Sequence, residues 1–113
     1  MTWTTQARKG ALELAVLNAL NSDRLYGYDI VRILRGYEGL IIADGTVYPI
    51  LSRLKADGLV SATIEESPDG PPRKYYELTR AGRTELKAQA ASWQRFSDAV
   101  GQVLEANVAA GER

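Results

Sequence analysis

The sequence predicts an α+β fold, mainly α, in which three helices lead into a β-hairpin and one long helix closes the chain. Three observations predict it. Helical apolar spacing recurs in three segments, two period-2 alternations flank a Pro/Gly break, and the last part carries an uninterrupted helical pattern. With 113 residues, 45% of them apolar and 25% charged, the chain fits one small folded domain.

The first helical pattern covers about Lys9 to Asn21, where Ala11, Leu12, Leu14, Ala15, Val16, Leu17, Ala19 and Leu20 make it apolar almost all round. More than one neighbour must therefore cover it. Asn21-Ser22-Asp23 ends it with turn-formers. The second runs from about Gly27 to Tyr37, with Ile30, Val31 and Leu34 on one face. The third is expected to start at Asp44, whose carboxylate suits an N-cap, and to reach about Asp57, with Gly58 as the C′ residue. Pro49 falls near its opening turns, where a proline is tolerated. Val47, Ile50, Leu51 and Leu54 have the spacing of a buried stripe, which leaves Thr46, Tyr48, Ser52, Arg53 and Lys55 pointing elsewhere.

Leu59 to Glu66 then alternates with Val60, Ala62 and Ile64 on one side, and Lys74 to Thr79 does likewise with Tyr75, Tyr76 and Leu78. Two strands joined by a loop over Ser67 to Pro72 make a β-hairpin, with Gly70-Pro71-Pro72 expected at a stiff tip. Three helices followed by a hairpin is the winged helix-turn-helix order. From about Arg80 to Ala106 a last helix, about 40 Å long at 1.5 Å per residue, carries Leu86, Trp93 and Val100 every seven residues, with Phe96 and Val103 in a second row. This stripe is expected to lack intramolecular cover and to form the interface of a homodimer. The chain is expected to divide into a winged helix-turn-helix domain over 1–80, a C-terminal dimerisation helix over 81–107 and a flexible tail over 108–113.

Composition excludes several function classes. The chain has no Cys and no His, which removes disulfides, thiol chemistry, imidazole bases and nearly every transition-metal site. No cofactor, metal site or catalytic residue is expected, and an enzyme is improbable. The segment Met1 to Gly10 lacks the apolar core of a signal peptide, and no stretch approaches the roughly 18 apolar residues of a membrane span. A soluble cytoplasmic protein without membrane association is expected. Lys and Arg number 14, as do Asp and Glu, so the net charge is zero. That balance argues against nucleic-acid binding unless the cations cluster locally. They do cluster, at Arg8-Lys9, at Arg53 with Lys55, at Arg73-Lys74 and at Arg80 with Arg83.

A recognition helix presents short polar and cationic groups opposite its apolar anchor. Thr46, Tyr48 and Ser52 supply donors for bases or phosphates, and Arg53 and Lys55 supply cations. Arg73 and Lys74 beside the hairpin tip stand where a wing meets backbone or minor groove. The same pattern also fits an amphipathic helix with an ordinary solvated face and an edge strand charged against aggregation.

Three segments in order resemble the PadR family of transcriptional regulators. They are Tyr26-Gly27-Tyr28; Gly45-Thr46-Val47-Tyr48-Pro49 with Arg53-Leu54 and Gly58-Leu59-Val60; and Gly70-Pro71-Pro72-Arg73-Lys74-Tyr75-Tyr76-Glu77-Leu78-Thr79-Arg80-Ala81-Gly82. The short C-terminal part resembles the family's small subfamily, and Ser92-Trp93-Gln94-Arg95 followed by Leu104-Glu105-Ala106-Asn107 is similar to its LmrR-like members. The resemblance implies a dimeric repressor that places its third helix in the major groove of a pseudo-palindromic operator and is released by an aromatic or drug-like small molecule. It matches Tyr48 to the family's recognition-helix tyrosine, and Arg73 and Lys74 to its basic wing. It further implies a ligand pocket at the dimer interface around Trp93 and Phe96, with Leu14 and Ala90, where Asp98 and Glu13 are candidate carboxylates for a cationic ligand. Trp93 read without the resemblance is a seam residue, Tyr26 and Tyr28 are packing residues, and Trp3 belongs to a tail. The competing class is a winged-helix protein-interaction module that never touches DNA.

Overall fold

The computed structural model describes residues 5–111, with side chains over 8–107; Trp3 and the end of the expected tail lie outside these. The first helix, α1 (Thr5–Ala19), leads through a turn to a two-residue strand, β1 (Leu25–Tyr26), and then α2 (Gly27–Arg35). A short 3-10 turn (Glu38–Leu40) precedes α3 (Val47–Ala56). The hairpin β2 (Val60–Ser67) and β3 (Gly70–Leu78) follows, and α4 (Arg80–Gly111) ends the chain. The fold is the mainly helical winged-helix arrangement that the periodicities predict. The helix continues past Asn107 through residues 108–111, which the sequence assigns to the tail.

One core joins all the layers. Leu12, Val16, Leu17 and Leu20 of the α1 region meet Ile30, Val31 and Leu34 of α2 and Val47, Ile50, Leu51 and Leu54 of α3. Val60, Tyr76 and Leu78 close it from the sheet. The nearly all-round apolarity of α1 has the predicted explanation: α2, α3 and α4 all pack on it.

The sheet has strand order β1-β3-β2, all antiparallel, with Tyr26 opposite Tyr75 and Val60 opposite Leu78. Two residues carry no readable period, so β1 was invisible to the sequence. The hairpin tip also departs from expectation. Ser67 pairs with Gly70, so Pro68-Asp69 form the turn and Gly70-Pro71-Pro72 belong to β3. Between the pairs Glu65–Arg73 and Ser67–Gly70, β2 contributes Glu66 alone and β3 contributes Pro71 and Pro72. That bulge is where two residues without N–H donors fit into a ladder.

Helix boundaries are set by contacts as much as by composition. Asp44 does not cap α3; its carboxylate pairs with Arg35, and Thr46 is the N-cap residue. The later start puts Pro49 in the first turn of α3, where its missing N–H has no intrahelical partner to lose. At the other end Gly58 has φ +75°, its N–H donates to the Lys55 carbonyl at 3.0 Å, and Leu59 N–H donates to Leu54 at 2.9 Å. This pair of bonds is a Schellman motif. Thr79 then locks α4 onto that turn. Its hydroxyl accepts from Gly82 N–H at 3.0 Å and donates to the Gly58 carbonyl at 2.7 Å, while its own N–H donates to Leu59 at 3.1 Å. Gly82 is needed because a Cβ there would lie 2.0 Å from the Leu59 carbonyl oxygen.

One expected interface residue is internal. Leu86 is only 5% exposed and belongs to the core, because the first turns of α4 lie against α1 and β3. The exposed part of the stripe begins two turns later, at the half-covered Trp93.

Candidate nucleic-acid interface

The exposed face of α3 follows from its anchor. With Val47, Ile50, Leu51 and Leu54 inward, the helical repeat puts Ser52 and Ala56 opposite the core. Tyr48 and Lys55 fall on one flank and Arg53 on the other. Tyr48, Ser52 and Lys55 are all exposed, and Thr46 is half-buried at the N-cap.

Tyr48 is seated by the second helix. Gly27 opens α2, and a Cβ on it would stand 2.8 Å from Tyr48 Cε1. The glycine of Tyr26-Gly27-Tyr28 therefore makes room for Tyr48, a pairing across 21 residues that no local signal announces. Burial, with help from the neighbouring Tyr26 and Tyr28 phenols, raises the Tyr48 pKa above the ordinary phenol value. Burial does the same for Tyr76, aided by Tyr48. Both hydroxyls are donors at neutral pH.

On the wing, Arg73 and Lys74 are exposed on opposite faces of β3. The Arg73 guanidinium lies 5.2 Å from the centre of the Tyr26 ring, and the Lys74 ammonium 6.0 Å from that of Tyr76. Arg24 sits 4.5 Å over Tyr75 and is held by Glu65, whose carboxyl this hydrogen bond keeps below its ordinary pKa. Among the described residues, Arg24, Arg32, Arg35 and Arg53 are paired with carboxylates, whereas Lys55, Arg73 and Lys74 are not. A chain of zero net charge thus keeps unpaired cations beside the exposed face of α3 and on the wing.

Arg53 differs from the other expected contacts. Its Nε donates to Glu13 Oε1 of α1 at 2.7 Å, in a half-buried site. Glu13 is thereby occupied and does not serve as a spare carboxylate near a pocket; Asp98 accepts from Gln94 at 2.9 Å.

A second surface lies on α4. Trp93 is 46% exposed and Phe96 65%, and Val100, Val103 and Leu104 are exposed too. Trp93 and Phe96, with Gln89 and Ser92, face Gly10, Ala11 and Leu14 of α1 across an open groove of about 270 Å³. Of the residues expected around a pocket, Leu14 lines this groove and Ala90 does not; Gln89 and Ser92 occupy that side, one residue before and two after. Among the described residues no group of acidic side chains is arranged to hold a metal, and no helix is long and apolar enough to cross a membrane.

Residues 16–88 match the Transcriptional regulator PadR-like family. The chain belongs to the PadR-like family of transcriptional regulators. These are regulators rather than enzymes. A transcriptional regulator of Mycobacterium tuberculosis is 33% identical over 79 residues, covering 70% of this chain and 72% of its own. A PadR-like transcription factor from Bacteroides fragilis is 41% identical with a TM-score of 0.75, covering 88% of this chain and 95% of its own. Bacillus subtilis PadR, solved in complex with operator DNA, is 28% identical with a TM-score of 0.60, covering 68% of this chain and 45% of its own.

Proposed function

We propose that this PadR-like regulator is a homodimeric repressor that binds a pseudo-palindromic operator in the cytoplasm through α3 and the β2–β3 wing. The observation that carries the reading is the exposed face of α3, with Tyr48, Ser52 and Lys55, together with the unpaired cations Arg73 and Lys74 of the wing. Thr46, Tyr48 and Ser52 meet base edges or phosphates in the major groove, and Lys55 with the wing pair neutralises phosphates. The operator complex of Bacillus subtilis PadR supports DNA as the partner by analogy of fold.

The dimer is supported by Trp93, Phe96, Val100, Val103 and Leu104, an apolar row on a projecting helix that the described residues leave exposed. Two copies pairing along α4 would bury it and bring the recognition helices to half-sites about 34 Å apart. The α1–α4 groove is the place for an aromatic effector, with the Trp93 indole as its stacking surface, in keeping with the small-subfamily likeness. An effector releases the operator only if it binds the low-affinity dimer arrangement better than the other.

Footprinting on the DNA upstream of the protein's own gene tests the reading. A symmetric protected site that disappears with rising salt is expected. Protection of no segment, with a stable folded dimer in hand, would favour the protein-interaction module instead.

A further inference from the structure

Apolar contacts set which face of a helix is buried, but being non-directional they leave it some freedom of roll about its own axis. The roll of α3 decides which side chains face DNA. Among the described residues, one directional side-chain contact reaches the flank of this helix from α1: the Arg53 Nε to Glu13 Oε1 bond, spanning 40 residues of sequence. Arg53 Nη2 also lies at Glu13 and is wholly shielded from solvent. A phosphate cannot reach that nitrogen without breaking the pair. Glu13 is itself well founded, one turn before the fully buried Leu17. The pair stands on the flank of α3 away from Tyr48 and Lys55, and since a helix rolls as one body, a contact that holds this flank holds theirs as well.

We infer that Glu13 and Arg53 are positioning residues: a strut from α1 that sets the roll of the recognition helix, with Arg53 acting on DNA through Glu13 and not as a phosphate contact. The inference rests on the DNA-binding reading above. It reverses an electrostatic expectation. Glu13→Ala removes a negative charge from a DNA-binding protein, which by charge alone tightens binding to any duplex. The strut requires the opposite for the operator.

The test is fluorescence anisotropy of the full-length dimer with its selected operator and with an unrelated duplex, across a salt series, well below the melting temperature. Active fractions are set by stoichiometric titration, so partial unfolding does not pass for weak binding. For Glu13→Ala the ratio of operator to unrelated affinity falls about tenfold, the loss of one poorly seated base contact, and the salt slope does not fall. For Arg53→Ala the ratio falls equally and the slope again holds. If Glu13→Ala fails to fold, Glu13→Gln keeps the volume and one acceptor and gives a smaller loss of the same kind. A slope lower by about one for Arg53→Ala is the mark of a phosphate contact and overturns the strut. So does unchanged or tighter operator binding by the Glu13 variants. A wild-type protein with no preference for any duplex overturns the DNA-binding reading first and the strut with it.

Discussion

Replacing Gly27 with alanine is expected to impair DNA recognition while leaving the fold in place. The new Cβ would stand 2.8 Å from Tyr48 Cε1, 3.3 Å from its hydroxyl oxygen and 3.4 Å from Cζ. Comfortable carbon–carbon contact begins at about 3.5 Å, so the ring must retreat by roughly 0.7 Å. Tyr48 is 44% exposed, so it retreats by turning outward and the backbone stays where it is. Gly27 is the first residue of α2, and alanine favours a helix over glycine by up to about 1 kcal/mol. That gain offsets part of the repacking cost, and the net change in stability stays within about 1 kcal/mol, or about 4 °C in Tm for a domain of this size. The displaced phenol, by contrast, loses a DNA contact worth about 1–3 kcal/mol, or about 5- to 150-fold in operator affinity. Anisotropy titration at fixed salt reads the affinity, and thermal denaturation reads the fold. Because both changes act through one side chain, Gly27→Ala combined with Tyr48→Ala is no worse than Tyr48→Ala alone. Wild-type operator affinity in Gly27→Ala would refute the role given to the Tyr48 seat, and so would full additivity of the two changes.

Other perturbations separate the surfaces. Arg73→Ala with Lys74→Ala weakens all duplexes alike and lowers the salt slope by up to about two; an unchanged slope would remove the wing from the interface. Leu86→Ala costs about 2–5 kcal/mol of fold stability by opening the core, whereas Val103→Asp leaves the fold standing and shifts sedimentation towards monomer. A dimeric Val103→Asp would contradict the α4 seam. Gly82→Ala destabilises strongly, since the obstacle is the Leu59 backbone carbonyl and no side chain can yield; a Tm within a few degrees of wild type would refute that packing. Tyr48 and Tyr76 both have raised pKa values. The stability their neutral phenols contribute is therefore present below the ordinary phenol value and is lost as pH rises through the folded ones. Alkaline titration at the phenolate absorbance should show a late phase that Tyr48→Phe and Tyr76→Phe each diminish.

What was legible in the sequence is what repeats. The stripe Val47, Ile50, Leu51, Leu54 and the alternation around Tyr76 and Leu78 each state a period, and a period states an element. Features made by one residue meeting a distant one were not legible. Asp44 has the composition of an N-cap and is instead claimed by Arg35. Arg53 has the composition of a phosphate contact and is claimed by Glu13. Leu86 and Trp93 occupy equivalent places in a seven-residue repeat, yet one is core and the other surface, because the spacing does not say where the globular body ends. The glycines were readable as motif letters, but their purposes, a seat for Tyr48 at Gly27 and a backbone crossing at Gly82, needed the packed chain.

The most direct test of the DNA-binding account is a competition titration: the protein on its labelled operator, challenged with unlabelled operator and with a scrambled duplex of equal length and composition. The account predicts that the operator competes at least about a thousandfold better at physiological salt, and that Tyr48→Ala closes much of that gap while Arg73→Ala with Lys74→Ala leaves it open and weakens both duplexes. Equal competition by operator and scrambled duplex would contradict it.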